Sequence, residues 1–339
     1  MSLVCGGSVV TRSEYFATAA DTGGRVVVPC RCGALVPFML HHDAKTAPGV
    51  RVEPSGRAVA VVANAFPLPA GSIEHGGSCP GATAECRNCY AAGLESWAPG
   101  FRRGASANLA GLQHLYGCGG VRAVGDALAD LVRVSERAQR ARGVGRPAFR
   151  WHSDGDVFAD WYARAIVRAV NATPGVEHWA YTRSLGMVRH LVRARGLSLY
   201  VSADRENLIA AGRVAARYGV PVALLATDPA DAAALWARLG ASVPGSVEQR
   251  PTLCPAAGRW VNDGVDAPAH VVGADGRRAS ARKGAAGVGA CIACRVCLPS
   301  GSRRPVTFLV HGGQARGNSG GRLGAAVTVR LRDRVAVVS

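Results

Sequence analysis

Residues 57–242 alternate between short apolar runs and longer amphipathic stretches. The runs at 58–65, 148–152, 176–182, 197–202 and 220–226 are rich in Val, Ala, Leu and aromatic residues and read as strands. The stretches at 107–116, 121–142, 160–171, 185–195, 206–218 and 230–239 read as helices. In the second of these, Leu128, Leu131 and Val132 recur at helical spacing. Repeated strand–helix units predict a parallel sheet with its helices packed outside it. Their length, about 20–30 residues, is that of the units of (β/α) barrels.

About six such strands predict an α/β protein built as a partial (β/α) barrel rather than a closed eightfold one. Around that barrel, at 56–242, the chain divides into three attachments. Residues 1–55 read as an irregular N-terminal extension with a short strand at 26–28. Residues 243–312 form a loop-rich cysteine region that ends on a strand at 306–310, and 313–339 form a basic tail. Both the N-terminal and the C-terminal attachment carry metal-ligating residue types.

Ligands of parallel α/β folds bind at the C-terminal ends of the strands. Those ends are polar here: Arg150-Trp151-His152-Ser153-Asp154-Gly155-Asp156, then Tyr181-Thr182-Arg183-Ser184, then Ser202-Ala203-Asp204-Arg205-Glu206-Asn207. His152, Asp154, Asp156, Tyr181, Arg183 and Asp204 are therefore candidate catalytic residues, and Ser202 and Asn207 candidate cofactor contacts. Asp156, Ser184 and Asp204 also suit helix caps, Glu206 suits a first helical turn, and His152 suits a core position. His152, Tyr181 and Arg183 do not cap helices, so three polar ends in succession predict one shared site.

The chain has eleven cysteines. In a reducing compartment such a number points to metal or redox chemistry rather than disulfides. Cys79, Cys86 and Cys89 form a C-x6-C-x2-C run on the loop after the first barrel strand, continuing into Tyr90-Ala91. Three thiolates on one loop suit zinc or an iron–sulfur cluster and leave one coordination position open. A structural zinc knuckle completed by a residue such as His75 is the alternative. Cys291, Cys294 and Cys297 form a second run, which Cys254 or His311 completes to four ligands for zinc or a cluster. Cys30 and Cys32, with His41 and His42 nearby, read as half of a small zinc site. Cys5 and Cys118 read as ordinary thiols.

Net charge changes the picture of partners. It is +17, and from Gly276 onward twelve basic residues face one acid, Asp333. That balance predicts binding to polyanions, above all nucleic acid, with DNA preferred to RNA. Because lysine occurs only at positions 45 and 283, nearly all the positive charge is arginine, as a GC-rich genome also favours. No apolar run reaches the ~18 residues of a membrane span, and no signal-peptide pattern opens the chain, so a cytoplasmic location is expected.

With these residues assembled, the chain resembles the phage gene-product-88 family and neighbouring three-cysteine phage proteins. The likeness rests on Cys79-Pro80-Gly81-Ala82, on Cys86 and Cys89-Tyr90-Ala91, on Phe149 to Asp156, on Trp179 to Ser184, and on the late cysteines. More distantly it is similar to radical S-adenosylmethionine enzymes, partial barrels with three cysteines after the first strand. Here the first cysteine gap is wider, and Asn88 stands where those enzymes carry an aromatic. That likeness implies a [4Fe–4S] cluster on Cys79, Cys86 and Cys89, with S-adenosylmethionine on its open iron. A third likeness is to the transglycosylases that place 7-deazaguanine bases in tRNA or DNA. It implies zinc at Cys291, Cys294, Cys297 and His311, with Asp154, Asp156 and Asp204 as base and nucleophile candidates. The leading expectation is a metal-dependent nucleic-acid-modifying enzyme. The transglycosylase and a zinc-stabilised, non-enzymatic nucleic-acid binder are the alternatives.

Overall fold

The computed structural model describes residues 2–5, 8–11, 24–42, 50–52, 58–60, 62–141, 143–245, 251–254, 270–272, 278–280, 291 and 295–309. A hairpin of β1 (Arg25–Pro29) and β2 (Leu35–Met39) leads to β3 (Ala65–Phe66), α1 (Tyr90–Trp97) and the long α2 (Pro99–Arg140). Next come β4 (Ala148–Trp151), α3 (Asp160–Asn171), β5 (Glu177–Thr182), α4 (Val188–Leu191), β6 (Leu197–Ala203) and α5 (Leu208–Tyr218). The last elements are β7 (Val222–Ala226), α6 (Pro229–Ser242), β8 (Thr252–Leu253) and β9 (Val306–Leu309). Three further antiparallel pairs join Ser2–Cys5 to Ser8–Thr11, Val50–Val52 to Ala58–Ala60, and His270–Val272 to Arg278–Ser280.

Strands β3 to β9 form one seven-stranded sheet in the order β8-β9-β7-β6-β5-β4-β3, with every pairing parallel. From β3 to β7 the strands are added in chain order. Right-handed crossovers repeated in one direction put every connecting helix on the same face. Alternation along the strands agrees. Phe149, Trp151, Leu199, Val201 and Leu224 pack with Leu128, Ile166, Leu208 and Leu235 of the helices. Their neighbours Ala148, Trp179, Tyr200 and Ala223 point to the opposite face. The segment at 295–300 covers that second face. Leu298 packs on Ala148 and Trp179, the Tyr200 hydroxyl donates to the Val296 carbonyl at 3.2 Å, and the Arg295 guanidinium pairs with Glu177.

The protein is thus mixed α/β, as expected. Among the described residues its sheet ends at β3, where His41 bridges Ala65, and at β8, and no strand pairing closes it into a barrel. The apolar run at 58–65 divides: Ala58–Ala60 belongs to an antiparallel pair, and only Ala65 with Phe66 enters the parallel sheet. The helices expected at 107–116 and 121–142 are two halves of α2, separated by non-helical torsions at Gly119 and Gly120. Of the helix expected at 185–195, a 3-10 turn and the single turn of α4 form.

Residues 25–42, expected to be irregular, belong to the main core. Val26, Val28, Val36 and Phe38 are buried with Leu112 and Leu115 of α2. Asn108 of α2, fully buried, accepts from the Met39 amide at 2.7 Å and donates to the carbonyls of Met39 at 2.9 Å and Pro67 at 2.8 Å. Cys294, His311 and the basic tail lie outside the described residues. Among the described residues no helix is long and apolar enough to cross a membrane.

Candidate functional site

The loop between β3 and α1 carries Cys79, Cys86 and Cys89 and lies against the C-terminal ends of β4, β5 and β6. Thr83 is its anchor. The Thr83 hydroxyl donates to Asp204 Oδ2 at 2.6 Å, and Arg183 Nη1 reaches the same hydroxyl at 3.3 Å while pairing with Asp204. The Ala84 amide donates to Glu206 Oε2 at 3.0 Å. On the other side the Ser78 hydroxyl donates to the Pro69 carbonyl at 2.8 Å and accepts from the Asp156 amide at 3.2 Å. A Cβ at Gly81 would overlap the Arg183 carbonyl, so only glycine lets the loop sit this close. Gly81→Ala should therefore lift the loop and destabilise the protein by about 1–3 kcal/mol, read from urea denaturation.

Each sulfur of the triplet faces a backbone amide. Cys79 faces that of Gly71, Cys89 those of Ala91 and Ala92 at the start of α1, and Cys86 that of Thr83 at 3.4 Å. The electrostatics oppose unaided ionisation. Burial pushes the Cys79 and Cys89 thiols up, and the carboxylates of Asp156 and Asp154 respectively push them further. A bound cation reverses this, because metal coordination deprotonates a thiol. Burial works against the charge of Arg183, yet the adjoining Cys86 and Asp204 raise its pKa above the ordinary value.

Asp156 is 5% exposed, and both of its oxygens are occupied. Oδ1 accepts from the Thr182 hydroxyl at 2.7 Å and the Val157 amide at 2.7 Å. Oδ2 accepts from the amides of Arg183 at 2.8 Å and Ser184 at 3.2 Å. It caps no helix; it fastens the turn after β4 to the end of β5. Asp204 Oδ1 accepts from the Glu206 and Asn207 amides at 2.9 and 3.2 Å, in the turn that leads into α5. Burial opposes its charge, but Thr83 and Arg183 hold its pKa below the usual carboxylate range. Asn207 closes that turn, donating to the Ser202 carbonyl at 3.1 Å. Asp154 is buried, and its carbonyl accepts from the Leu68 amide at 2.9 Å.

Two expected site residues point elsewhere. His152 has a left-handed backbone, φ 59°, and its Nε2 lies 2.9 Å from the hydroxyl of Tyr162, a residue of the core beneath the helices. It is a core histidine. Burial, with the Arg150 guanidinium second, holds its pKa down to about 3, and burial holds His178 down to about 4. Both therefore take up a proton only on unfolding, where histidine titrates near 6.5. Their contribution is complete above that pH and is lost as pH falls toward 3. The urea midpoint should fall between pH 7 and 4, and His152→Asn, which tolerates the left-handed region, should show a slope smaller by up to one proton.

Tyr181 serves the second cysteine group. Its ring lies among Tyr200, Phe308 and the Arg150 guanidinium, the last 5.7 Å from the ring centre. Cys297 and Cys291 adjoin its hydroxyl, which burial and these thiols push well above the ordinary tyrosine value. Cys254 and Cys297 pack on the same sheet face, against Tyr200, Ala223 and Val306. Arg183, whose guanidinium reaches Thr83 of the first cysteine loop, lies one residue beyond the end of β5.

His75, a candidate ligand for the triplet, instead hydrogen-bonds Ser72 at 2.7 Å. His41 sits 3.1 Å from the Ser153 hydroxyl rather than beside Cys30 and Cys32. Those two cysteines meet His114 and Cys118 of α2. The four ligand atoms lie within 4.8 Å of one another and could hold a metal ion. The readable signal was the His114-x3-Cys118 spacing, which puts both side chains on one helix face.

Fold and site together define an α/β protein with a three-cysteine loop docked at the C-terminal ends of a parallel sheet. The Gene product 88 family model matches residues 39–299. The chain belongs to the Gene product 88 family. The Gene 88 protein of Mycobacterium phage L5 is 33% identical over 170 residues, spanning 49% of this chain and 68% of that protein. No solved structure matches.

Proposed function

We propose that the protein is a metal-dependent enzyme that modifies nucleic acid, DNA in preference to RNA. The observation that carries this reading is the docking of a three-cysteine loop, through Thr83, onto the strand-end pair Arg183–Asp204. Three thiols with amide donors facing their sulfurs fit an iron–sulfur cluster, whose bound thiolates are stabilised by such contacts. A [4Fe–4S] cluster on Cys79, Cys86 and Cys89 would leave one iron open and supply one-electron chemistry to a molecule held there, S-adenosylmethionine being the co-substrate that the distant likeness to radical S-adenosylmethionine enzymes suggests.

The chain's own residues take defined parts in this reading. Arg183 offers a guanidinium beside Cys86 and neutralises part of the charge that three thiolates gather. Asp204 holds Arg183 and Thr83 in register. Asp156 joins β4 to β5 beneath the loop, and Asp154 lies beside Cys89. The sheet, with its strands in chain order and its helices on one face, is taken as the wall of a partial (β/α) barrel. The charge of +17 draws in the phosphate backbone, and a paired base would have to leave its stack to reach the strand ends. The occupied oxygens of Asp156 and Asp204 favour clamp roles over those of a transglycosylase base and nucleophile.

The test compares nucleosides, by mass spectrometry, from the DNA and RNA of cells expressing wild type or Cys86→Ala. A new nucleoside in DNA that appears with wild type alone is expected. Unchanged nucleosides in both polymers would contradict the enzymatic reading.

A further inference from the structure

We propose that Cys30, Cys32, His114 and Cys118 form a closed zinc site, and that its role is to staple the N-terminal hairpin to α2 so that His41 reaches the strand ends. This inference does not depend on the iron–sulfur reading.

The four ligand atoms lie within 4.8 Å of one another, close enough to share one ion. With metal–sulfur bonds of about 2.3 Å and metal–nitrogen bonds of about 2.0–2.1 Å, a tetrahedron has a sulfur–nitrogen edge of about 3.5 Å. The distances from His114 Nε2 are 3.4 Å to Cys32 Sγ and 3.7 Å to Cys118 Sγ. Three cysteines and one histidine are a structural zinc set, with no position left open. Local structure explains why these four meet. The turn after β1 is closed by bonds from the Cys30 amide to the Ala34 carbonyl, 2.8 Å, and from the Gly33 amide to the Cys30 carbonyl, 3.1 Å, which brings both thiols to one end of the hairpin. His114 and Cys118 lie one turn apart on α2, directly before its break at Gly119–Gly120. Between Cys32 and His114 lie 81 residues. Closing a loop of that length is where a metal clip contributes most.

The other end of the hairpin shows what the clip positions. β2 runs on to Leu40, whose amide donates to Gly24, and to His41, which pairs with Ala65 of the first sheet strand. The His41 ring packs edge-on to Phe101 and places Nδ1 3.1 Å from the Ser153 hydroxyl, next to Asp154. A hairpin fixed at its turn by zinc and along β2 by Asn108 thus delivers an imidazole to the candidate site.

The test uses the full chain, purified with its metals. Zinc per chain, measured by mass spectrometry, should drop by one equivalent in Cys32→Ser and in Cys118→Ser, and Cys79→Ser should retain it. Chelation of wild type should raise amide exchange of residues 26–38 at least tenfold, a readout that remains if a variant does not fold. Replacement of zinc by cobalt should give the intense visible bands of a tetrahedral thiolate site, weakened in Cys118→Ser. Zinc unchanged in a folded Cys118→Ser, a native mass two daltons low from a disulfide among these cysteines, or zinc release with no change in hairpin exchange would each overturn the proposal.

Discussion

Asp156→Ala should destabilise the protein by about 3–5 kcal/mol, the largest expected effect of any single change in the sheet. The carboxylate is buried and accepts four hydrogen bonds, from Thr182 Oγ1 and the amides of Val157, Arg183 and Ser184. Its removal leaves the Val157 and Arg183 amides and the Thr182 hydroxyl without their acceptor, and leaves the Ser184 amide only its bond to Thr182 Oγ1 at 3.0 Å. Asp156→Asn keeps the shape but turns an NH2 group toward two of those donors, so a loss of about half that size is expected. Urea denaturation with an unchanged slope reads both values. A cost below about 1 kcal/mol for Asp156→Ala would mean that β5 is held in place by something other than this carboxylate.

Alanine at Cys79, Cys86 or Cys89 should abolish the iron and the visible absorbance of the protein while leaving its fold. The three thiols lie on a loop between β3 and α1 rather than in the main core, so their loss removes ligands but little apolar packing. Amides face each sulfur, and Arg183 adjoins Cys86, so all three positions belong to one charged site and none is a spare. Circular dichroism and thermal unfolding should therefore stay close to wild type in all three variants as iron falls to background. Iron retained in two of the three would break the assignment of the triplet as one site.

Much of this arrangement was legible in the chain. Apolar runs spaced by amphipathic stretches gave the order of the strands and helices, because parallel strands buried on both faces are read as continuous runs. The separate helices read at 107–116 and 121–142 bracket the break that α2 makes at Gly119 and Gly120. The polar strand ends proved to be neighbours, since Asp156 bonds the end of β5 and Thr83 reaches Arg183 and Asp204.

What escaped the sequence reading has physical causes. A two-residue strand such as β3 leaves no period to detect, and the apolar run before it has the stronger strand pattern. His152 leaves the sheet in a left-handed conformation, which sends its ring to Tyr162 instead of the site. Tyr181 follows simple alternation, but the face it meets is covered by a segment more than a hundred residues later. The partners of Cys30 and Cys32 came from a helix distant in sequence, and nearby His41 was already committed to Ser153.

Metal analysis of anaerobically purified wild-type protein decides whether Cys79, Cys86 and Cys89 hold an iron–sulfur cluster at the strand ends. Iron and acid-labile sulfide should be present in equal amounts, with a broad visible band that dithionite bleaches and that Cys86→Ala lacks. Colourless protein that contains zinc and no iron would contradict it.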